Sequence, residues 1–277
     1  MTTWMEHAGR RLRILGDRPV SLAIPLSPGG PQPGHFHAPP ADATPLSAGS
    51  FVGDTRAGGS CNCETVTVVT HCNGTHTEGI GHVTLDRVPV HGAAMAPLLP
   101  AGLVTVTPED AARSGETADP PPAEGDTMIT ARVLEAALCA VPDSARRALA
   151  ALVVRSLPND PEKTRRDWMA PPIPPYFSLQ AMERIVALGV RHLLTDLPSV
   201  DRILDQGRLA AHRKFWGLPA GSQDAGEASR PEATITEMIF VPGDLPDGLY
   251  ALSLQLAPWA LDAAPSRPVL YPVEPDA

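Results

Sequence analysis

Proline is the residue type that most limits how this chain can fold. The 277 residues include 32 prolines, more than double the usual share of about 5%. Because proline interrupts helices and central strands, this frequency predicts short regular segments joined by many loops. Stretches rich in proline and glycine lie at residues 25–40, 108–125, 171–175 and 218–231. We interpret them as surface loops within a single domain that spans residues 1–277.

The segments between these loops have the patterns of strands more often than those of helices. The predicted helices are residues 131–140, after the N-cap Thr130, and residues 179–188, after the N-cap Ser178. Gly189 then ends the second helix and a strand follows it, which is an α/β element that packs a helix on a sheet. The predicted strands are residues 64–71, 103–107, 152–156, 191–196, 234–241 and 249–256. The sequence therefore predicts an α/β fold with a mixed, strand-rich sheet or barrel-like core and helices packed outside it.

Charge and hydropathy exclude several classes of protein. The formal net charge is −9 and the basic residues form no stripe, so nucleic acid is not the expected partner. The apolar runs are too short for a membrane span. Arg10, Arg11 and Arg13 are followed by no apolar segment, so no secretory signal is predicted. The cysteines are too few and too unevenly spaced for a disulfide framework, which favours a reduced, cytoplasmic location; they are Cys61, Cys63, Cys72 and Cys139.

The side chains that bind metals are concentrated just after the strand predicted at residues 64–71. Within twelve residues the chain has a set of imidazole, thiol and carboxyl groups: His71, Cys72, His76, Glu78 and His82. Such groups bind zinc and similar borderline metals. In an extended segment His76 and Glu78 project to the same face, since they are two residues apart. The spacing alone favours a metal or catalytic site over a set of unrelated structural residues.

This segment resembles the motif of the cyclase family of metal-dependent hydrolases, which includes kynurenine formamidases and isatin hydrolases. That motif is His-x-Gly-Thr-His-x-Asp-x-Pro-x-His, and Gly74-Thr75-His76-x-Glu78 with His82 follows it in register. Later segments are similar to the family as well: residues 189–201, Ala211-His212 and Thr236-Glu237. Three positions differ, because Cys72 stands at the first histidine of the motif, Glu78 at its aspartate and Ile80 at its proline.

The resemblance implies a site that holds one or two ions of Zn²⁺ or Mn²⁺. Carried over by position, the implied ligands are His76, Glu78, His212 and Glu237, and His82 is the implied acid–base group. The first ligand has two candidates. A match without gaps selects Cys72, whereas His71 requires one extra residue in the turn. We favour His71, since a one-residue bulge costs little and metal hydrolases commonly use imidazole. The resemblance also implies a homodimer or a higher homo-oligomer.

Further residues are candidates for supporting roles. Three polar residues near the end of the strand at 191–196 either support the site or cap the turn there: Asp196, Ser199 and Asp201. The loop at residues 25–40 resembles the family's substrate-binding segment, with Gln32 where relatives often have an aromatic residue. Phe36 is a candidate for that missing ring. Trp216, four residues after His212, is either a packing residue or part of a substrate pocket.

The expected function is hydrolysis of a small amide, either an N-formyl aryl amine or a cyclic amide, with water activated by the metal and a histidine as acid–base group. Two alternatives remain open. One is a non-hydrolytic cyclase or dehydratase that uses the metal as a Lewis acid. The other is a non-catalytic module that binds a metal or a small molecule, an alternative suggested by the replacements at Glu78 and Ile80.

Overall fold

Strands outnumber helices in this fold, as the computed structural model shows for residues 3–93 and 96–276, the part of the chain that it describes. In chain order the strands are β1 Thr3–His7, β2 Arg10–Ile14, β3 Val20–Ser21, β4 Asp42–Pro45, β5 Ser47–Ala48, β6 Phe51–Val52, β7 Glu64–Thr67, β8 His76–Glu78, β9 Leu99–Val106, β10 Glu109–Asp110, β11 Thr127–Ile129, β12 Ala151–Ser156, β13 Tyr176–Phe177, β14 His192–Thr195, β15 Thr234–Glu237, β16 Gly248–Leu256 and β17 Ala263–Pro275. The helices are α1 Ala131–Leu138, α2 Asp143–Arg146, α3 Leu179–Ala187 and α4 Ala210–Trp216.

Seven of the strands close into a barrel, in the order β17-β16-β9-β12-β14-β15-β8 and back to β17. Strands β9, β12, β14 and β15 are parallel to one another. The other pairings are antiparallel, including the pairing of β8 with β17 that closes the ring. The β1–β2 hairpin extends from the far end of β17. The prediction of an α/β fold with a barrel-like core and helices outside is therefore confirmed.

The central barrel strands β12, β14 and β15 are buried on both faces. In β12, Leu152 and Val154 belong to the core between the barrel and the helices, whereas Ala151 and Val153 belong to the core inside the barrel. Successive side chains of a strand point to opposite faces, so an unbroken apolar run can fill two cores at once. This is why a chain with few aromatic residues still builds a core from Val, Leu, Ile and Ala.

The two helices that the sequence predicts are present within two residues of their expected ends. The Thr130 side chain accepts a hydrogen bond from the backbone N–H of Val133 at the start of α1. Ser178 accepts the equivalent bond from Ala181 at the start of α3. No described helix has the length and apolarity needed to cross a membrane.

The strand predicted at residues 64–71 is shorter than expected and lies outside the barrel. Residues 64–71 were expected to form one strand, but β7 ends at Thr67 and pairs only with β4, in a two-stranded ribbon outside the barrel. All four side chains of β7 are exposed. The alternating pattern of β-branched residues predicts a strand, but it does not determine which sheet that strand joins. The strand of this region that belongs to the barrel is β8, which contains His76 and Glu78.

Candidate metal centre

Two neighbouring strands of the barrel bring a histidine and two glutamates together. In β8 the side chains of His76 and Glu78 lie on one face of the strand. Glu237 is directly opposite His76 in the pairing of β8 with β15, so their side chains are cross-strand neighbours. Met238 has a positive φ of 51°, which ends β15 at Glu237. A hydrogen bond from the backbone N–H of Val200 to Oε1 of Glu237, 2.8 Å long, fixes the carboxyl group.

A second histidine reaches the same position from the first turn of α4. Asp201 accepts hydrogen bonds from the backbone N–H groups of Ala211 (2.8 Å) and His212 (3.1 Å), and so caps the start of this helix. The same carboxylate accepts a bond from Nδ1 of His212 at 2.7 Å. The other ring nitrogen, Nε2, is thereby turned toward Glu78 and Glu237, at 2.8 and 3.6 Å from their Oε1 atoms. We call His76, Glu78, His212 and Glu237 the inner group.

Three partly exposed side chains lie above the inner group. His71 lies in the turn before β8 and contacts Oε2 of Glu78 through Nδ1 and Oδ2 of Asp262 through Nε2, both at 2.9 Å. The rings of His71 and His82 are stacked, with centroids 4.2 Å apart. We call His71, His82 and Asp262 the outer group. Their side chains are 27%, 24% and 29% exposed, whereas no side chain of the inner group exceeds 5%.

Buried polar atoms of the inner group lack hydrogen-bond partners. Nε2 of His76, Oε1 of Glu78 and Nε2 of His212 are fully buried without one. Glu78 Oε1 and His212 Nε2 are 2.8 Å apart, but they do not meet at hydrogen-bonding angles. Leaving buried polar atoms unpaired costs about 1–3 kcal/mol each. Nitrogen and carboxylate oxygen atoms that converge in this way are a suitable ligand set for a divalent metal, so the residues present fit such an ion.

Proton affinities in the inner group are far from their ordinary values. Burial and the charge of Glu78 raise the pKa of Glu237 to about 8. Burial also acts against ionisation of Glu78, but the charges of His82 and His212 outweigh it and hold the pKa of Glu78 well below its usual value. Burial lowers the pKa of His76 to about 4. Groups with pKa values shifted so far apart are typical of functional sites.

The two candidates for the first ligand differ in their surroundings. Burial opposes the charged form of His71, but hydrogen bonds with Asp262 and Glu78 outweigh it and raise the pKa of His71 to about 10. For Cys72, burial and the charge of Glu237 both raise the pKa of the thiol, which disfavours the thiolate that binds metal. In the described part of the chain, three sets of potential ligands have atoms within 4.8 Å of one another, and His71 belongs to two of them but Cys72 to none.

Comparison with known protein families identifies the family of this chain. Residues 20–202, more than half of the chain, match the model of the Cyclase family. The chain belongs to the cyclase family. The matched residues include the turn and strand from His71 to His82 and also Asp201, whereas His212, Glu237 and Asp262 lie beyond them. A comparison with curated proteins found no match.

Solved structures share the fold of this cyclase-family chain at low sequence identity. Isatin hydrolase A from Labrenzia aggregata, bound to benzyl benzoate, has a TM-score of 0.60 at 16% identity, over 93% of this chain and 94% of that one. Isatin hydrolase A from Ralstonia solanacearum has a TM-score of 0.59 at 16% identity, over 92% and 91%. A predicted metal-dependent hydrolase from Bacillus stearothermophilus has a TM-score of 0.55 at 14% identity, over 92% and 98%.

Most of the site residues predicted for this family member are brought together. The inner group, His71, His82 and Asp201 lie around one position, and Cys72 is buried in the same turn as His71. The backbone N–H of Asp201 donates a hydrogen bond to Oγ of Ser199 at 3.1 Å. Asp196 lies elsewhere: its carboxylate binds the buried ammonium of Lys163 at 2.8 Å and the hydroxyl of Ser156 at 2.9 Å. Asp196 thus ties the ends of two barrel strands to a loop.

The three residues predicted to contact substrate have different positions. Gln32 bonds the backbone of its own loop, with Oε1 accepting from Ala41 N–H at 2.6 Å. Phe36 is 57% exposed and its ring lies 4.2 Å from that of His35. Trp216 is fully buried behind His212, with ring centroids 5.7 Å apart, and its Nε1–H donates to the carbonyl of Ala233. No surface of Trp216 remains for a substrate to contact.

Asp262 is the residue of this centre that the sequence analysis missed. It directly precedes β17, and 191 positions separate it from His71 along the chain. The neighbouring imidazoles of His71 and His82 lower the pKa of Asp262 below its ordinary value. In the sequence, Asp262 is a single acidic residue between the apolar segment at 256–261 and the start of a long strand. No local pattern indicates that it contacts His71, because the two residues meet only when β8 pairs with β17 and closes the barrel.

Proposed function

We propose that this chain is a metal-dependent hydrolase of small amides, acting on an N-formyl aryl amine or a cyclic amide. The observation that carries the proposal is that three buried atoms of the inner group have no hydrogen-bond partner, Nε2 of His76, Oε1 of Glu78 and Nε2 of His212, and that Glu78 belongs with each histidine to a set of potential ligand atoms within 4.8 Å of one another. The names of its structural neighbours agree with this, since they include isatin hydrolases and a predicted metal-dependent hydrolase.

The proposed ligands are the inner group together with His71, which faces Glu78 through Nδ1 at 2.9 Å. We prefer His71 to Cys72 as the first ligand, because in the described part of the chain His71 belongs to sets of potential ligand atoms that lie within 4.8 Å of one another and Cys72 belongs to none. Mixed nitrogen and oxygen donors of this kind suit Zn²⁺ and also Mn²⁺. Glu78 lies between both groups, since its Oε1 faces His212 and its Oε2 faces His71 and His82.

In the proposed reaction, water adds to the amide carbonyl, the C–N bond breaks, and the departing nitrogen takes up a proton. A divalent metal held by these residues would lower the pKa of water, for zinc to about 7, and polarise the carbonyl. His82 is the proposed acid–base group, because it lies in the exposed outer group with Nε2 3.8 Å from Oε2 of Glu78. From there it can take a proton from the attacking water and deliver it to the nitrogen. The buried carboxyl of Glu237 would help to orient the water.

The proposal is tested by metal content and by the source of oxygen in the product. Purified protein, reconstituted separately with Zn²⁺ and Mn²⁺, is expected to hold about one or two ions per chain. The loaded protein would then be screened with N-formyl aryl amines, cyclic imides and lactams in water enriched in a heavy oxygen isotope. Label in the new carboxylate is the expected result. Product without label would instead favour a cyclase or dehydratase, and a protein that binds neither metal would contradict the proposal.

The choice between His71 and Cys72 gives a separate prediction. His71→Ala is expected to weaken metal binding by at least about tenfold, since it removes a ligand imidazole, whereas Cys72→Ala should change affinity by less than about twofold. Affinity would be measured by competition with a chromophoric chelator. Cys72→Ser is a matched control, since it keeps the size of the side chain. The opposite ranking, with Cys72 the more sensitive position, would assign the first ligand to the thiol.

A further inference from the structure

The outer group contains one carboxylate that contacts two imidazoles, and the ligand set proposed above does not use it. We propose that Asp262 is a positioning residue, whose Oδ2 hydrogen-bonds the outward nitrogen of His71 and faces that of His82, so that the opposite nitrogen of each ring faces the metal centre. This inference rests on the proposed function, because it assigns a role to Asp262 within that same site.

A common arrangement of the histidines carries the inference. Each histidine proposed as a ligand has one ring nitrogen bound to an oxygen of the protein and the other turned inward. For His212 the outer partner is Asp201 at 2.7 Å, and for His76 it is the carbonyl of Gly74 at 2.9 Å. For His71 it is Asp262 at 2.9 Å. A nitrogen that binds metal must offer its lone pair, so the proton of a neutral imidazole has to be on the other nitrogen, where an acceptor stabilises it.

His82 faces the same oxygen atom at a longer distance. Its Nδ1 lies 3.6 Å from Oδ2 of Asp262, while its Nε2 points toward Glu78. The ring stacks on that of His71 at an interplanar angle of 30°. Asp262 therefore orients the proposed ligand directly by a hydrogen bond, and it acts on the proposed acid–base group through its charge and through the stacking of the two rings.

The stacking also decides against a different role for the outer group. Ligand atoms of His71, His82 and Asp262 lie within 4.8 Å of one another, which would be compatible with a second metal ion. The lone pairs of an imidazole lie in the plane of its ring, however. Two stacked ring planes inclined at 30°, with centroids 4.2 Å apart, are poorly oriented to direct both lone pairs at one ion at a bonding distance of about 2.0–2.1 Å. Positioning by the carboxylate fits this geometry, and a shared ion does not.

The backbone around Asp262 is fixed independently of its side chain. Its carbonyl accepts a hydrogen bond from Gly79 N–H at 3.0 Å, and the carbonyl of Leu261 accepts one from Val90 N–H at 2.8 Å. The next residue, Ala263, begins β17 opposite Glu78. Substitution of the partly exposed carboxylate is therefore expected to leave the fold intact, which makes variants at this position informative.

The test compares Asp262→Ala and Asp262→Asn with the parent and with Asp244→Ala, a control at an exposed aspartate. Zn²⁺ affinity would be measured by chelator competition, and the fold by thermal unfolding of the metal-free proteins. Loss of a carboxylate that orients a ligand histidine is expected to weaken metal binding by about 10–100-fold in the alanine variant. Asparagine keeps an acceptor oxygen, so it should recover part of the affinity. Asp244→Ala should bind as the parent does.

A spectroscopic readout separates positioning from a general structural effect. In isotope-edited NMR spectra of the zinc-loaded parent, the His71 ring is expected to carry its proton on Nε2, and Asp262→Ala should change the shifts of the His71 and His82 ring nitrogens while leaving those of His212 unchanged. Parent-like affinity and parent-like ring shifts in Asp262→Ala would overturn the inference alone. A parent that binds no metal would overturn the proposed function and this inference with it.

Discussion

His76→Ala is expected to lose its metal and with it at least about a thousand-fold in kcat/KM. The imidazole is buried, its Nδ1 is held by the carbonyl of Gly74, and its Nε2 has no other partner. A metal supplies several kcal/mol of transition-state stabilisation, and each 1.36 kcal/mol corresponds to a factor of ten in rate. Metal per chain would be measured by inductively coupled plasma mass spectrometry, beside the hydrolysis rate of the best substrate found.

Two further variants make this result interpretable. His37→Asn is the matched control: His37 is exposed, and asparagine tolerates its positive φ of 53°. Glu237→Gln keeps the volume of a buried side chain while weakening it as a ligand, so it should lose metal without a cavity being formed. Full metal occupancy in both His76→Ala and Glu237→Gln would place the ion elsewhere and contradict the ligand set.

His82→Ala should reduce kcat by about 10²–10⁴-fold while the metal stays bound, since that is the usual contribution of a general acid–base group. The side chain belongs to the outer group and its nitrogens lie 3.6 Å or more from the nearest carboxylate oxygens, so its removal breaks no hydrogen bond of the inner group. The measurements are kcat, KM and metal content on the same preparation. A largely unchanged KM would agree with a role in proton transfer rather than in substrate binding.

A chemical rescue gives this second prediction an independent readout. His82 is partly exposed, so added imidazole can enter the space left in the alanine variant and restore part of the lost rate. His37→Asn again serves as the control that should not respond. If His82→Ala loses its metal, His82 is a ligand and the acid–base assignment is wrong. If it keeps both metal and full kcat, the proton is transferred by another group.

Local patterns in the sequence were sufficient for two of the four α-helices that the structure describes, for most of the barrel strands and for the cluster of candidate residues from His71 to His82, whereas His212 and Glu237 were selected by the family resemblance. Capping residues such as Thr130 and Ser178 mark helix starts because they satisfy backbone N–H groups within a few residues. Apolar runs such as the one in β12 mark strands that are buried on both faces. The spacing of His76 and Glu78 places both on one face of a strand by geometry alone. Each of these inferences depends on neighbours in the chain.

Long-range contacts decided the rest. The closure of the barrel by β8 and β17 brings Asp262 to His71 across 191 residues, and no local pattern encodes such a pairing. The segment at 64–71 has the pattern of a barrel strand, yet β7 lies in an exposed ribbon, since strand propensity does not specify the partner strand. Asp196 and Asp201 could not be distinguished from sequence spacing. A buried carboxylate binds the donors that the fold brings within reach. Asp196 therefore pairs with Lys163, whereas Asp201 binds His212 at the start of α4.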